Sequence, residues 1–281
     1  MLPATRCPFL PRETAMGVKL AGPARRVSEP ALVVKDKAGY RPLPLKIFRG
    51  NPRGEDVLQG GIGDCFFMAP LASMAKANPR AIKNAITDNK DGTATVRFFR
   101  HQPDSKKFVP LNVVVDIKVP TRNHAPVYGS SRDNDLWVSI YEKAYAKLRG
   151  GYPRLAGGTF EPAIEKLTGR PTQKVLPTDP HLFEKLSEAL RNGKFVVAEN
   201  PVHGFSVWGV SKLRGTPMVV FRDQAEGHQS GLVLNAAAPR PGIIKALPLS
   251  AVRSGIPFPP SPVPLPFVAF TIGDSSRLLQ K

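Results

Sequence analysis

The hydrophobic pattern of the chain changes character near residue 175, and this change constrains the fold more than any other feature. Before it, apolar residues recur at helical spacing. In Leu136 to Leu148 (LWVSIYEKAYAKL) the side chains of Trp137, Ile140, Tyr141, Ala144, Tyr145 and Leu148 share one stripe, closed by Gly150 and Gly151, which predicts an amphipathic helix. Cys65 to Ala77 reads as another helix that stops before Pro79, and shorter helices are predicted at about 160–168 and 181–191. Two strands, TATVRFF (93–99) and FVPLNVVVDI (108–117), follow an NKDG turn at 89–92. Beyond residue 194 the runs FVVAE, FSVWGV and MVVFRD are short, β-branched or aromatic, and separated by Gly, Pro and Asn. A Pro-rich connector (IPFPPSPVPLP) then leads into FVAFTI. A mostly helical part followed by a mostly β part predicts an α+β fold with a cleft between two lobes.

Three segments follow from this reading: residues 1–45, a basic Pro/Ala/Arg-rich extension without sustained periodicity; 46–175, the helical lobe; and 176–281, the β lobe. With 281 residues, 42% of them hydrophobic, the chain can fill a sizeable core. No run of eighteen apolar residues occurs, and the N-terminus lacks the apolar stretch of a secretory signal. Two cysteines make no disulfide framework, so reduced thiols in a reducing, cytoplasmic compartment are expected. The net charge of +18 raises the question of nucleic acid. Residues 1–53, however, hold eleven Lys or Arg against Glu13, Glu29 and Asp36, so much of the excess sits in the extension. The remainder is scattered without a zinc-knuckle or aromatic-basic pattern, and no specific nucleic-acid partner is expected. The composition of the extension is compatible with disorder, with a targeting segment for non-classical export, and with a strap across the cleft.

The run LQGGIGDCFFMAPLASMA (58–75) places Cys65 at the start of an apolar helix behind a glycine-rich turn. A helix N-terminus favours the thiolate through unpaired N–H groups and the helix dipole. Gly60, Gly61 and Gly63 permit a tight turn, and Gln59 carries an amide able to face a developing oxyanion. Taken alone, the segment suits a buried structural thiol equally well. Of five histidines, His203 leads directly into a strong β run, which would fix its ring, although a lone strand histidine is more often structural. Asp223 ends the next predicted strand, twenty residues on, where it could accept from the far ring nitrogen. His101, His124, His181 and His228 fall in loops or short helical surroundings and have no metal-ligand spacing.

These residues resemble the calpain family. DVLQGGIGDCFFMAPLASMA is similar to the calpain nucleophile segment with its QG-x-x-GDCW core. LWVSIYEKAYAKLRGGYPRLAGG followed by FEPAIEKLTG is similar to the stretch with the EKAYAK helix, the GG pair and the TG end. HGFSVWGV resembles the HAYSV histidine strand, and VVFRDQAEG stands where the family has RNPWG. The resemblance runs from about residue 46 to the C-terminus. It implies a papain-like two-lobe fold, with a helical lobe carrying the cysteine and a twisted antiparallel β lobe carrying the histidine. It also implies intracellular hydrolysis of peptide bonds in polypeptide substrates, with Cys65 as nucleophile, His203 as base, Gln59 as oxyanion donor and Asp223 as orienting residue. An inactive binding module and transglutaminase-type acyl transfer are the alternatives. Four departures bear on this. Asp223 replaces an Asn, the Trp of RNPWG is missing, Phe66 replaces the Trp after the cysteine, and Pro70 stands inside the helix. Calpain cores bind calcium in each lobe. Asp56 matches one ligand, but Pro153 and Arg154 stand where the family offers a Glu, so calcium is not expected to be required, nor any other cofactor.

Overall fold

A computed structural model describes residues 27–225, 244–254 and 267–279. The Pro-rich connector, His228, Cys7 and the first 26 residues of the extension lie outside the described residues. Along the chain run strands β1 (Gly39–Arg41) and β2 (Val57–Leu58), helices α1 (Cys65–Ala77) and α2 (Pro79–Ala85), then β3 (Ile86–Asp88), β4 (Thr93–Gln102) and β5 (Lys107–Asp116). Short strands β6 (Val119–Arg122), β7 (Ala125–Pro126) and β8 (Ser130–Ser131) lead to α3 (Trp137–Arg149) and α4 (Phe160–Thr168). The second half comprises β9 (Gln173–Val175), α5 (Leu182–Arg191), β10 (Phe195–Glu199), β11 (Gly204–Leu213), β12 (Thr216–Arg222), β13 (Ile244–Pro248), α6 (Leu249–Ser254) and β14 (Ala269–Gly273). The class is α+β, and all strand pairings within the named sheets are antiparallel.

Helix α1 is the axis of the first half. Its residues Phe66 to Ala75 are all buried, because a segment apolar on every side is stable only when surrounded. It packs on α2, α4, β10 and β11. Phe67 stacks on Tyr145 of α3 with ring centroids 4.1 Å apart, and Tyr141 meets Phe98 of β4 edge-on at 5.5 Å, so the predicted stripe of α3 covers α1 and the β3-β4-β5 sheet together. Pro70 is buried inside the continuous helix. Lacking an N–H, it leaves the Phe66 carbonyl without its helical donor. Helix α1 stops before Pro79, as expected from sequence, but Pro79 opens a second helix that was not expected. This proline occupies the first turn of α2, where a missing N–H costs nothing.

The second half is a six-stranded sheet of order β13-β12-β11-β10-β14-β9, whose apolar face is closed by α5 and α6 through Leu182, Leu186, Ala189 and Val252. Two details matter for the site. A two-residue loop, Arg214–Gly215, joins β11 to β12 with both residues at positive φ (48° and 83°) and Leu213 paired with Thr216, the hairpin geometry that matches strand twist. Further along, the register slips between Val207 and Gly209, so Trp208 is the extra residue of a β-bulge. The bulge turns its ring toward the first half, under Lys76 of α1 and beside Arg222 of β12.

From residue 29 onward, the stretch read as an extension packs onto the helical half. Strand β1 pairs with β6, Tyr152 N–H donates to Ala31 O at 2.9 Å, and Tyr40 Oη donates to Pro30 O at 2.7 Å. Lys143 of α3 is fully buried and held by Glu29 Oε2 and Asp116 Oδ1, each at 2.5 Å, with the Lys118 carbonyl at 2.7 Å. Replacing this cation would strand two acids in a largely dry site. Lys143→Met is therefore expected to lower unfolding stability by about 3 kcal/mol, measured by urea denaturation.

Candidate active site

Cys65 is the first residue of α1 and is partly accessible as a free thiol. The Asp64 carbonyl accepts from Phe67 N–H at 2.8 Å and Met68 N–H at 3.0 Å, so the sulfur sits on the first helical turn, where the N–H groups of Cys65 and Phe66 have no intrahelical acceptor. The turn before it is held by close approach. A Cβ on Gly60 would fall 2.4 Å from the Tyr128 main chain. Gly61 N–H donates to Val127 O at 2.8 Å, and Gly157 N–H donates to Gly63 O at 2.9 Å. Gln59 is buried, and its Nε2 donates one hydrogen to Ile62 O at 2.8 Å. An amide has two, so one N–H remains for another acceptor.

His203 comes from the second half, immediately before β11. A turn sets it there: Asn200 Oδ1 accepts from Val202 N–H at 3.0 Å and from His203 N–H at 2.7 Å, and Asn200 N–H donates to His203 O. Phe205 braces the ring edge-to-face at 4.8 Å. The ring Nε2 lies 2.9 Å from Asp223 Oδ1, and Asp223, just past β12, also accepts from Ala225 N–H at 2.9 Å. The Cys65 thiol lies near enough to the same imidazole to act on its ionisation. Burial by itself would lower the His203 pKa, but the hydrogen bond to Asp223, the Cys65 thiol and the charge of both outweigh it, pushing the ring up to about 10. Burial likewise opposes ionisation of Asp223, yet its hydrogen bond to His203 and the imidazolium charge hold its carboxyl below the usual range. The His203 and Asp223 side chains are 22% and 33% exposed. The remaining described histidines, His101, His124 and His181, are exposed; His101 lies on β4 rather than in a loop, because that strand runs three residues beyond the predicted run.

Thus the structure brings Cys65, His203 and Asp223 together and places Gln59 on the loop entering α1. Sequence reasoning missed the residues that join the two halves. Arg222 is 1% exposed, and its Nη2 donates to Val57 O at 2.9 Å and Glu55 O at 3.1 Å. Just beyond, Gln59 N–H donates to Gln224 O at 2.8 Å and Gln59 forms a parallel bridge with Ala225. Residues 222–225 therefore run alongside 55–59. Gln224, also buried, donates to Ser206 Oγ and to Arg222 O. The available signal was Arg222 itself, a cation at the end of a strand otherwise apolar.

Asp56 is buried and faces an arginine. Its Oδ1 accepts from Arg53 Nε at 3.2 Å and Nη2 at 3.1 Å, and its Oδ2 accepts from Arg53 N–H at 2.8 Å. Pro153 and Arg154 are exposed and bring no carboxylate. Calcium takes six or more oxygens; a carboxylate already engaged by guanidinium, with no second acid at the matching position, does not fit that donor set.

Residues 41–214 match the calpain family of cysteine proteases, and the chain belongs to that family. It is 36% identical over 172 residues to the calpain-type cysteine protease DEK1 of Arabidopsis thaliana, covering 57% of this chain and 8% of that protein. It is 38% identical over 136 residues to calpain clp-4 of Caenorhabditis elegans (46% and 18%), and 29% identical over 194 residues to the calpain-2 catalytic subunit of Gallus gallus (63% and 27%). The chain thus spans less than a third of the length of these relatives.

Two expectations follow. Arg222→Met leaves the Glu55 and Val57 carbonyls without their donor and should cost about 2–3 kcal/mol in urea unfolding. The His203–Asp223 pair contributes stability in full only where both partners are charged without help. Because the His203 pKa is raised, its share is complete below its ordinary value of 6.5 and is lost as pH rises through about 10. Because the Asp223 pKa is depressed, its share is complete above 3.8 and is lost as pH falls through the lowered value. The Tm gap between the wild type and Asp223→Ala should accordingly be widest from about pH 4 to 6.5 and shrink toward pH 10, as followed by circular dichroism.

Proposed function

We propose that the chain is a cysteine endopeptidase acting through Cys65, His203 and Asp223, with its two cores forming the helical and β lobes of a papain-like fold. The observation that carries this reading is one imidazole bonded by a carboxylate on Nε2 with the thiol of a helix N-terminus close beside it, Cys65 lying 138 residues before His203 and 158 before Asp223. With Nε2 engaged by Asp223, Nδ1 is the nitrogen left for sulfur. The raised affinity of the ring for protons favours transfer from thiol to imidazole, giving a thiolate–imidazolium pair.

In this mechanism the Cys65 thiolate attacks the scissile carbonyl. The oxyanion takes the Cys65 main-chain N–H and the free amide hydrogen of Gln59. His203 then gives its proton to the leaving amine, and a water activated by the neutral ring releases the acyl-enzyme. Asp223 fixes the ring and stabilises its charge, a role an ionised carboxylate fills at least as well as an amide. Substrates are polypeptides. No calcium is required, since Arg53 already neutralises Asp56 and the guanidinium of Arg222 joins the lobes without a metal ion. The working compartment is reducing, cytoplasmic on this reading, because the mechanism needs a free thiolate. Among the described residues no helix is long and apolar enough to cross a membrane.

The test is turnover of a fluorogenic peptide or casein. Activity should persist in excess chelator and fall at least about a thousandfold in Cys65→Ala. An epoxysuccinyl inhibitor should add to Cys65, as located by mass spectrometry. Absence of Cys65-dependent cleavage with and without calcium would overturn the reading. Amine incorporation into glutamine, rather than hydrolysis, would replace it with acyl transfer.

A further inference from the structure

Behind Cys65 lies a second pair of ionisable groups that the chemistry above does not use. Asp64 has no exposed surface and Glu142 of α3 is 1% exposed. Both Asp64 oxygens and Glu142 Oε2 lack a conventional donor among the described residues. The remaining oxygen, Glu142 Oε1, accepts from Gly129 N–H at 2.9 Å. The neighbouring cation on the helix, Lys143, is committed to Glu29 and Asp116. The titratable groups whose charge acts on the pair or feels it are phenols: Tyr152, Tyr145 of α3, Tyr128 and Tyr40 of β1. No Lys, Arg or His among the described residues forms an ion pair with either acid.

The two carboxyls act on each other's ionisation, and the Tyr152 phenol acts on that of Glu142. Three of the four carboxyl oxygens lack a donor, and two bare charges in so dry a pocket without a cation would be strongly unfavourable, so the pair retains a proton. The pair also sits at a junction. Asp64 caps α1 through its carbonyl. Glu142 holds Gly129, whose own carbonyl accepts from Ser139 Oγ at 2.7 Å. The next residues, Ser130 and Ser131, pair with Leu58 and Val57 beside Gln59. A Cβ on Gly129 would meet Met68 Cε at 2.0 Å and Glu142 Oε1 at 3.0 Å, so a side chain there would have to displace Met68 or Glu142.

We propose that Asp64 and Glu142 hold one proton between them and act as positioning residues, locking the start of α1 and the Gln59 strand to α3 so that Cys65 keeps its aim. The second half of this statement rests on the protease reading; the shared proton does not. Burial pushes Asp64 up to about 7, and burial together with the Asp64 charge raises Glu142 well above its ordinary value. Raised carboxyl pKa values mean that stability is greatest below the unfolded values near 4 and is lost as pH rises through about 7.

Thermal unfolding of the full chain from about pH 5 to pH 9 tests the proton. Glu142→Gln supplies an amide donor to Asp64 and still accepts from Gly129, so its Tm should fall less with pH than that of the wild type. Asp64→Asn should act in the same direction. Glu29, which burial also raises to about 7, titrates in all three proteins, so the difference isolates the pair. Parallel profiles would overturn the proposal. Should neither variant fold, the infrared carbonyl band of a buried protonated carboxyl at neutral pH in Glu29→Gln, where Glu29 cannot supply it, supports the proposal, and its absence overturns it. For positioning, the ratio of Cys65 alkylation rates by iodoacetamide at about pH 9 and pH 6 should be severalfold higher in Glu142→Gln than in the wild type. An unchanged ratio would reject that role. The unfolding comparison needs no turnover, so a chain that cleaves no peptide yet shows these profiles keeps the pair and loses only the protease reading.

Discussion

The structure depends on one buried guanidinium. Arg222 reaches from the end of β12 to the carbonyls of Glu55 and Val57, and the main-chain contacts of Gln59 with Gln224 and Ala225 continue that seam. Burying a cation is unfavourable unless its donors find acceptors. Here the acceptors are fixed backbone carbonyls, so satisfying Arg222 also sets where the two halves meet. Burial lowers its pKa only to about 10, and it therefore stays charged across the neutral range. Asp223 is the next residue, which means that the group orienting His203 inherits its position from the same seam.

In the first half, exclusion of side-chain volume does comparable work. Gly60 rests against the Tyr128 backbone and Gly129 against Met68 and Glu142. Neither glycine needs a positive φ; what each provides is the absence of a Cβ where two segments touch. The loop entering α1 is thereby held on both flanks, by Tyr128 on one side and by Gln224 on the other, and Cys65 emerges at a defined point on the helix end.

Much of this was legible in the sequence because it is local. The period of α3, the apolar run of α1 and the alternation of β10 to β12 are properties of contiguous residues, and Cys65, His203 and Asp223 were chosen from the elements that carry them. What escaped was non-local. Helix α2 was hidden because Pro79 reads as a stop when seen from α1 and as a favourable first residue only when seen from α2. Strand β9 is three residues long and exists through its pairing with β14, almost a hundred residues away. The roles of Arg222, Asp64 and Glu142 depend on which neighbours surround them once they are buried, and no spacing encodes that. The first strand of the extension, β1, is likewise defined by its partner β6.

The tight loop Arg214–Gly215 has a consequence for how such a chain can diversify. Adjacent residues on a strand project to opposite sides, and Arg222 and Asp223 use both. Which side each serves is set by the register of β12 against β11 and β13; a slip of one residue in that register would deliver guanidinium toward the imidazole and carboxylate toward the carbonyls, a reversal of sign at both ends. Extra residues confined to the hairpin tip leave that register in place, so the tip can vary in length where the strand behind it cannot.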